Sequence, residues 1–363
     1  MKKRKVLSSL LLPAILLYLF VELLLERAKK DAKFADLINS GISHAIRKFM
    51  ATLTSNINFS IFEVIVVCIP ILVIILIILA VKRFKRREGR LRLISTILSI
   101  TLILLSGNTI CLGFGYRITS LRSKLNLPSV EVTEDRLADI LIQIRDELNR
   151  ISKDIEYSEN GTSVGHDIDK TSELICLSFD TLSDEYGFFE NYDSKVKLVK
   201  NGPAMTMLGI SGIYTYYTGE SNVNSALPIS EITFVAAHEL SHQRGIMREN
   251  EANFMAFLVT VTSDDAYLNY SGYLSMYQYI ASALYRTNPD RYYEINRELS
   301  GGPRADIIAT NDVIIKYADT FIADISEFIN DIFLKSNGTS GVVTYGEVVK
   351  LTVAYYASLG KIN

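Results

Sequence analysis

Only four histidines occur in the 363 residues of this chain, and two of them flank a glutamate in His238-Glu239-Leu240-Ser241-His242. Residues four apart on a helix lie on one face, so both imidazoles can take a single Zn²⁺. Glu239 sits one step round, where a carboxylate can take a proton from a water that the metal polarises for attack on a carbonyl. At this composition a chance match to His-Glu-x-x-His is expected in about three chains per thousand, so the spacing is read as chemistry. The competing reading is a surface helix with two exposed histidines. Ile232, Phe234, Val235, Ala236 and Ala237 make the first half of the helix too apolar for that. Polar side chains in such a helix need a partner, and a metal satisfies all three.

A catalytic zinc needs three protein ligands and an open position. Gly245 follows three residues after His242 and can take the positive φ that ends a helix. A second helix then runs from Glu249 to Leu258. Glu249 and Asn253 share a face with Ala252 and Ala256, whereas Glu251 points about 200° away. Only one glutamate can face the metal. Glu249 is the preferred third ligand, with Asn253 as its supporting partner. Glu251 stays open as the alternative, since the turn at Gly245 can rotate the second helix.

The elements that must carry this site divide the chain near residue 115. Residues 1–115 hold the long apolar runs, and three segments reach the roughly 20 residues that a bilayer requires: Val6–Leu25, Ile61–Val81 and Leu93–Leu112. The first follows Lys2-Lys3-Arg4-Lys5 but is longer than a signal-peptide core and lacks a small-x-small cleavage site, so it reads as an uncleaved anchor. Lys82, Arg83, Lys85, Arg86, Arg87, Arg90 and Arg92 follow the second segment, and such clusters stay in the cytoplasm. Three crossings then place the remainder outside, with Glu26–Ser60 as an external loop.

Residues 116–363 alternate charged and apolar positions, and they suffice for a core. Thr133 can cap a helix whose Leu137, Ile140, Leu141, Ile144, Leu148 and Ile151 keep to one face. Helices are also expected over Thr171–Leu182, Asp264–Arg286, Asp306–Leu334 and Tyr345–Leu359. Val196–Val199 and Gly212–Tyr217 read as short strands. The fold class is therefore mostly α (α+β), with a small sheet just before the motif. A net charge of −2 argues against nucleic acid as a partner. Cys68, Cys111 and Cys176 form no disulfide framework and no cysteine zinc site.

The stretch Glu249-x-x-Ala252-Asn253 resembles the Glu-x-x-Ala-Asp of gluzincins, with Asn in place of Asp. Arg244 departs from the apolar residue common in such peptidases. The whole chain is similar to a bacterial membrane family designated domain of unknown function 3810. That similarity runs through Gly212-Ile213-Tyr214, Tyr217-Thr218-Gly219-Glu220, His238 to Phe257, Tyr270-Ser271-Gly272-Tyr273-Leu274 and Tyr345-Gly346-Glu347-Val348-Val349, and includes the N-terminal apolar segments. It implies a zincin-like domain on membrane helices and names no substrate. Zincins hold a substrate as an added strand, and Gly212–Tyr217 can serve. Tyr214, Tyr216 and Tyr217 are candidates to stabilise an oxyanion, beside a simple packing role; His166 reads as a surface-loop residue and His44 as interfacial. The leading expectation is a zinc metallopeptidase of the bacterial cell membrane, acting on membrane or envelope polypeptides. The alternative is a zinc-binding membrane sensor with little turnover, for which no cytoplasmic effector module is visible.

Overall fold

The computed structural model describes residues 7–84, 87–316, 321–339 and 345–362. Its N-terminal part contains α1 (Leu11–Ala28), α2 (Ala32–Ile38), a π-helical turn (Asn39–Ser43), α3 (His44–Ser55), α4 (Ile61–Phe84), α5 (Arg87–Asn108) and a second π-helical turn (Thr109–Gly113). Two helices among the described residues, Ile61–Lys82 and Gly89–Gly113, are long and apolar enough to cross a membrane. They contain the second and third expected spans. The first, Val6–Leu25, is corrected. The described helix begins only at Leu11, is 18 residues long, and carries Glu22, Glu26 and Arg27. Helix α1 instead lies along α5: Ser8 N donates to Ser95 Oγ at 2.8 Å, and Thr109 Oγ1 donates to Glu22 Oε1 at 3.2 Å. Small buried residues, Ala14 on α1 and Ser99 and Ser106 on α5, let the two backbones approach closely.

The expected external loop Glu26–Ser60 is helical, and its second helix is inverted. Helix α3 and the turn before it bury Ser43, His44, Arg47 and Thr54, while Ile42, Phe49 and Leu53 stand exposed. The polar side chains turn inward because they have partners there. Arg47, only 1% exposed, donates through Nη1 to Asn39 Oδ1 (3.0 Å) and Cys111 O (3.1 Å), and through Nη2 to Asn39 O (2.9 Å). Asn39 and Cys111 belong to the two π-helical turns, which supply these carbonyls. Asn39 Nδ2 in turn donates to Gly245 O at 3.2 Å, directly beyond the motif helix. His44 is buried against Tyr192.

Next come α6 (Leu121–Lys124), α7 (Glu134–Ile151), α8 (Ile168–Tyr186), β1 (Val196–Val199), α9 (Gly202–Met207), β2 (Gly212–Thr215), β3 (Glu220–Asn224) and α10 (Ile229–Gln243). The chain closes with α11 (Glu249–Thr262), α12 (Ala266–Thr287), α13 (Pro289–Asn296), α14 (Gly301–Ile315), α15 (Phe321–Ser336) and α16 (Tyr345–Ser358). Thr133 caps α7, and all six of its expected apolar residues are at most 3% exposed. They pack with α8, α10, α11, α12 and α16 in one core, where a buried Leu or Ile contributes about 1.5–3 kcal/mol. The expected single helix Asp306–Leu334 is instead α14 and α15; residues 317–320 between them lie outside the described residues.

The sheet order is β1-β3-β2, with β1 parallel and β2 antiparallel to β3. Strand β3 was not apparent in the sequence because it is polar. It is nonetheless buried throughout, and each side chain has a purpose. Glu220 accepts from Ile61 N (3.0 Å) and Phe62 N (2.9 Å), capping α4. Ser60 Oγ donates to Asn222 Oδ1 at 2.6 Å, Asn224 Nδ2 donates to Thr206 Oγ1 at 2.8 Å, and Ser221 Oγ donates to Glu239 O at 3.0 Å. The β2–β3 turn requires Gly219, at φ +71°, where a Cβ would run into Met50 and Ala51 of α3.

Replacing Arg47 by the apolar Met removes the Arg47 donors to Asn39 Oδ1 and Cys111 O and one of the two donors to Asn39 O. Arg47→Met should cost about 3 kcal/mol. At the unfolding entropy of a 363-residue chain that lowers the thermal midpoint in detergent by about 4 °C. An unchanged midpoint would show that this buried arginine does not join the two turns.

Candidate metal centre

Pro228 sets the backbone ahead of α10, and the buried run Ile232 to Ala237 holds that helix in the core. His238 and His242 emerge one turn apart, with ring centroids 4.6 Å apart and planes at 86°. The helix ends at Gly245, φ +97°, where Gly245 N donates to His242 O (2.9 Å) and Ile246 N to Ser241 O (3.1 Å). The same turn orients a ligand. His242 Nδ1 is 2.8 Å from Ile246 O, which fixes a proton on Nδ1 and leaves the Nε2 lone pair free.

That reversal places Glu249 on the first turn of α11, facing back. Its Oε2 lies 3.4 Å from His238 Nε2, and its Oε1 3.6 Å from His242 Nε2. One ligand atom from each of His238, His242 and Glu249 lies within 4.8 Å of the others. The Glu249 side chain is 30% exposed, which keeps one side of the cluster open. Glu251 points elsewhere. Its Oε1 accepts from Leu121 N and Arg248 Nη1, both at 2.9 Å, and the side chain is buried. Asn253 is half-buried and makes no side-chain hydrogen bond among the described residues, so it does not support Glu249.

Glu239 is 3% exposed, and its Oε2 is a buried oxygen without a partner. Gly212 of β2 makes its room, since a Cβ there would stand 2.5 Å from Glu239 Oε1. Burial pushes the Glu239 carboxyl up; the two histidines and a backbone bond from Tyr214 oppose this, and Glu249 reinforces it. Burial alone would lower His242, but Glu249 outweighs it and holds the imidazole at about 9. Glu249 itself is held well below the usual carboxylate range by His242 and His238, against its own burial.

Of the three candidate tyrosines, only Tyr214 lies against the cluster, through its backbone; its hydroxyl is buried without a partner. Tyr216 Oη donates to Leu104 O of α5 at 2.9 Å, and Tyr217 is 39% exposed. One residue not singled out in the sequence also belongs here. Tyr116, just after the second π-helical turn, is raised by burial and by Glu249, and packs with Tyr214 and Met247. A contact between distant segments made Tyr116 invisible in the sequence. Arg244 is a buried hub, donating to Asn191, Ser194, Gln243 and two backbone carbonyls and stacking over Phe179. His166 Nε2 donates to Asp265 Oδ2 at 2.9 Å, at the cap of α12.

Fold and site together define a largely helical protein with a small mixed sheet and a His/His/Glu cluster on two consecutive helices. A family model described as "Protein of unknown function (DUF3810)" matches residues 39–353, and the chain belongs to that family. No curated protein and no solved structure is matched.

Two imidazoles and a carboxylate suit Zn²⁺, and the orphaned Glu239 oxygen beside them suits a polarised water. Glu249→Ala should therefore abolish zinc retention, while Glu251→Ala should keep about one zinc per chain and lose stability only. The reverse pattern in metal analysis would move the ligand to Glu251. A second expectation concerns pH. His242 is protonated in the metal-free protein below about 9, so its pairing with Glu249 is fully present below pH 6.5 and lost as pH rises through 9. Zinc must displace that proton. Affinity should rise on the order of tenfold per pH unit from 6 to 8, with roughly one proton released per zinc in calorimetry. A pH-independent affinity over that range contradicts the assignment.

Proposed function

We propose that this chain is a membrane-anchored, zinc-dependent metallopeptidase hydrolysing peptide bonds of membrane or cell-envelope polypeptides. One observation carries the reading: His238, His242 and Glu249 converge within 4.8 Å, beside a buried Glu239 with one unpartnered oxygen. His238, His242 and Glu249 would hold the metal, in a zincin-like arrangement. When bound, zinc supplies the Lewis acid for water and carbonyl. Glu239, raised by burial, is suited to take a proton from the attacking water and return it to the leaving amine. Water oxygen joins the carbonyl carbon, the C–N bond breaks, and one water proton ends on the amine. Strand β2 is an edge strand of the described sheet, passes beside Glu239, and is the edge that an extended peptide would join.

The two apolar helices are the anchor in this reading. Helix α4 leaves the sheet at Glu220 and α5 returns to it at Tyr216, so Lys82 near the end of α4 and Arg92 near the start of α5 lie away from the sheet. Keeping that basic end in the cytoplasm puts the metal cluster outside.

Glu239→Gln should lower peptide hydrolysis by at least about 10³-fold while retaining roughly one zinc per chain. Undiminished hydrolysis in that variant sinks the mechanism. Zinc retention in both forms with hydrolysis in neither points to the sensor instead. Reporter fusions after Leu121 should be active only outside the cytoplasm; cytoplasmic activity there overturns the orientation.

A further inference from the structure

We propose that the site takes the juxtamembrane segment of a membrane-spanning polypeptide and cuts it within roughly five residues of its span; this rests on the peptidase reading. The geometry is set by β2. Its Tyr214 backbone lies on Glu239, and its outer edge has no strand partner in the three-stranded sheet. Two residues on, about 7 Å along an extended chain, Tyr216 reaches α5. Its hydroxyl donates to Leu104 O at 2.9 Å, and its ring fits beside Gly107, where a Cβ would stand 3.2 Å from it.

Leu104 lies well inside the apolar helix that runs to Gly113, about 13 Å below its end. Leu104 and Leu105 are 49% and 45% exposed, so this level belongs to the apolar surface of the helix. The chain leaving the edge strand at Thr215 thus sets the Tyr216 side chain against the apolar band of the anchor.

Three further observations put the bilayer surface at that level. Helix α4 is capped by Glu220 at Ile61 and exposes apolar side chains from Val64 onward. Tyr217, in the turn that follows β2, is exposed. Ser43 Oγ donates to Ile110 O at 2.5 Å, tying the inverted α3, with its outward Phe49 and Leu53, to the top of α5. A peptide added to β2 therefore has one end in the membrane interface. A spanning polypeptide supplies that end without extracting apolar surface from lipid, and a soluble peptide does not.

The test uses the full chain in phosphatidylethanolamine–phosphatidylglycerol vesicles with single-span substrates. One cleavable segment is placed about 3, 8 or 20 residues from the span, or supplied as a soluble peptide. Cleavage is measured with the wild type. Capture is measured with Glu239→Gln carrying a photo-crosslinking phenylalanine derivative in place of Tyr217. Both signals should fall at least about tenfold from the nearest to the farthest placement, and the soluble peptide should be weakest. Cleavage and capture independent of spacing overturn this inference and leave the peptidase reading standing. Spacing-dependent capture without cleavage supports the juxtamembrane surface and removes the hydrolase. Neither cleavage nor capture at any spacing refutes both.

Discussion

A buried polar strand has to find a partner for every group it carries, and β3 is such a strand. Glu220, Ser221, Asn222 and Asn224 are all at most 1% exposed, and an unsatisfied group among them would cost about 1–3 kcal/mol. The pleat sends Glu220, Asn222 and Asn224 to one face and Ser221 to the other. On the first face the partners are the start of α4, Ser60 and Thr206. On the second it is the carbonyl of Glu239 itself. The strand therefore sets the distance between an apolar 22-residue segment and the residue offered as general base. A carboxylate across the first N–H groups of α4 also complements the helix dipole, which strengthens the join.

Arg47 makes a second, independent tie. It gathers carbonyls from both π-helical turns, and its neighbour Asn39 reaches Gly245. Gly245 is where α10 reverses so that α11 can present Glu249. A side chain there would collide with Arg47 as well as needing φ +97°. The helix that carries the histidines is thus held at its middle by β3 and at its end by α3 and the last turn of α5. Rigid support on both sides is what a pre-organised ligand set requires, since a displacement of about 1 Å is enough to impair such a site.

The legible parts of this chain were those where one local rule acts alone. His238, Glu239 and His242 stand out by spacing, and 3.6 residues per turn favours Glu249 as their neighbour, although the turn at Gly245 left Glu251 open in the sequence. The face of α7 was readable because its apolar residues all point to one core. Where tertiary contacts reverse the rule, reading fails. Strand β3 lacks apolar alternation because its partners are hydrogen-bonding groups from other segments. Residues 32–55 looked like a loop because their polar residues go in and their apolar residues out. Tyr116 comes to Glu249 only through the packing of the α5 terminus. Asn253 shows the opposite failure: it shares a helical face with Glu249 in projection but makes no bond to it.

The electrostatics of the cluster suit a buried site without a metal, and would equally suit one holding the proposed Zn²⁺. Two carboxylates, Glu239 and Glu249, stand beside two imidazoles in a region largely closed to water. With both carboxylates ionised and both rings neutral, a dication brings the group to zero net charge, which is the least costly state for a buried centre. Without the metal, protons do the same work. Burial favours a proton on Glu239, and Glu249 keeps one on His242, so the group again tends to neutrality. Proton and metal are thus alternative occupants of one charge requirement. The low-lying Glu249 carboxylate is common to both states: it pairs with His242 in one and is positioned to ligate in the other. Because Glu249 stays ionised, a metal bound there would displace protons from Glu239 and His242 and leave the charge of Glu249 unchanged.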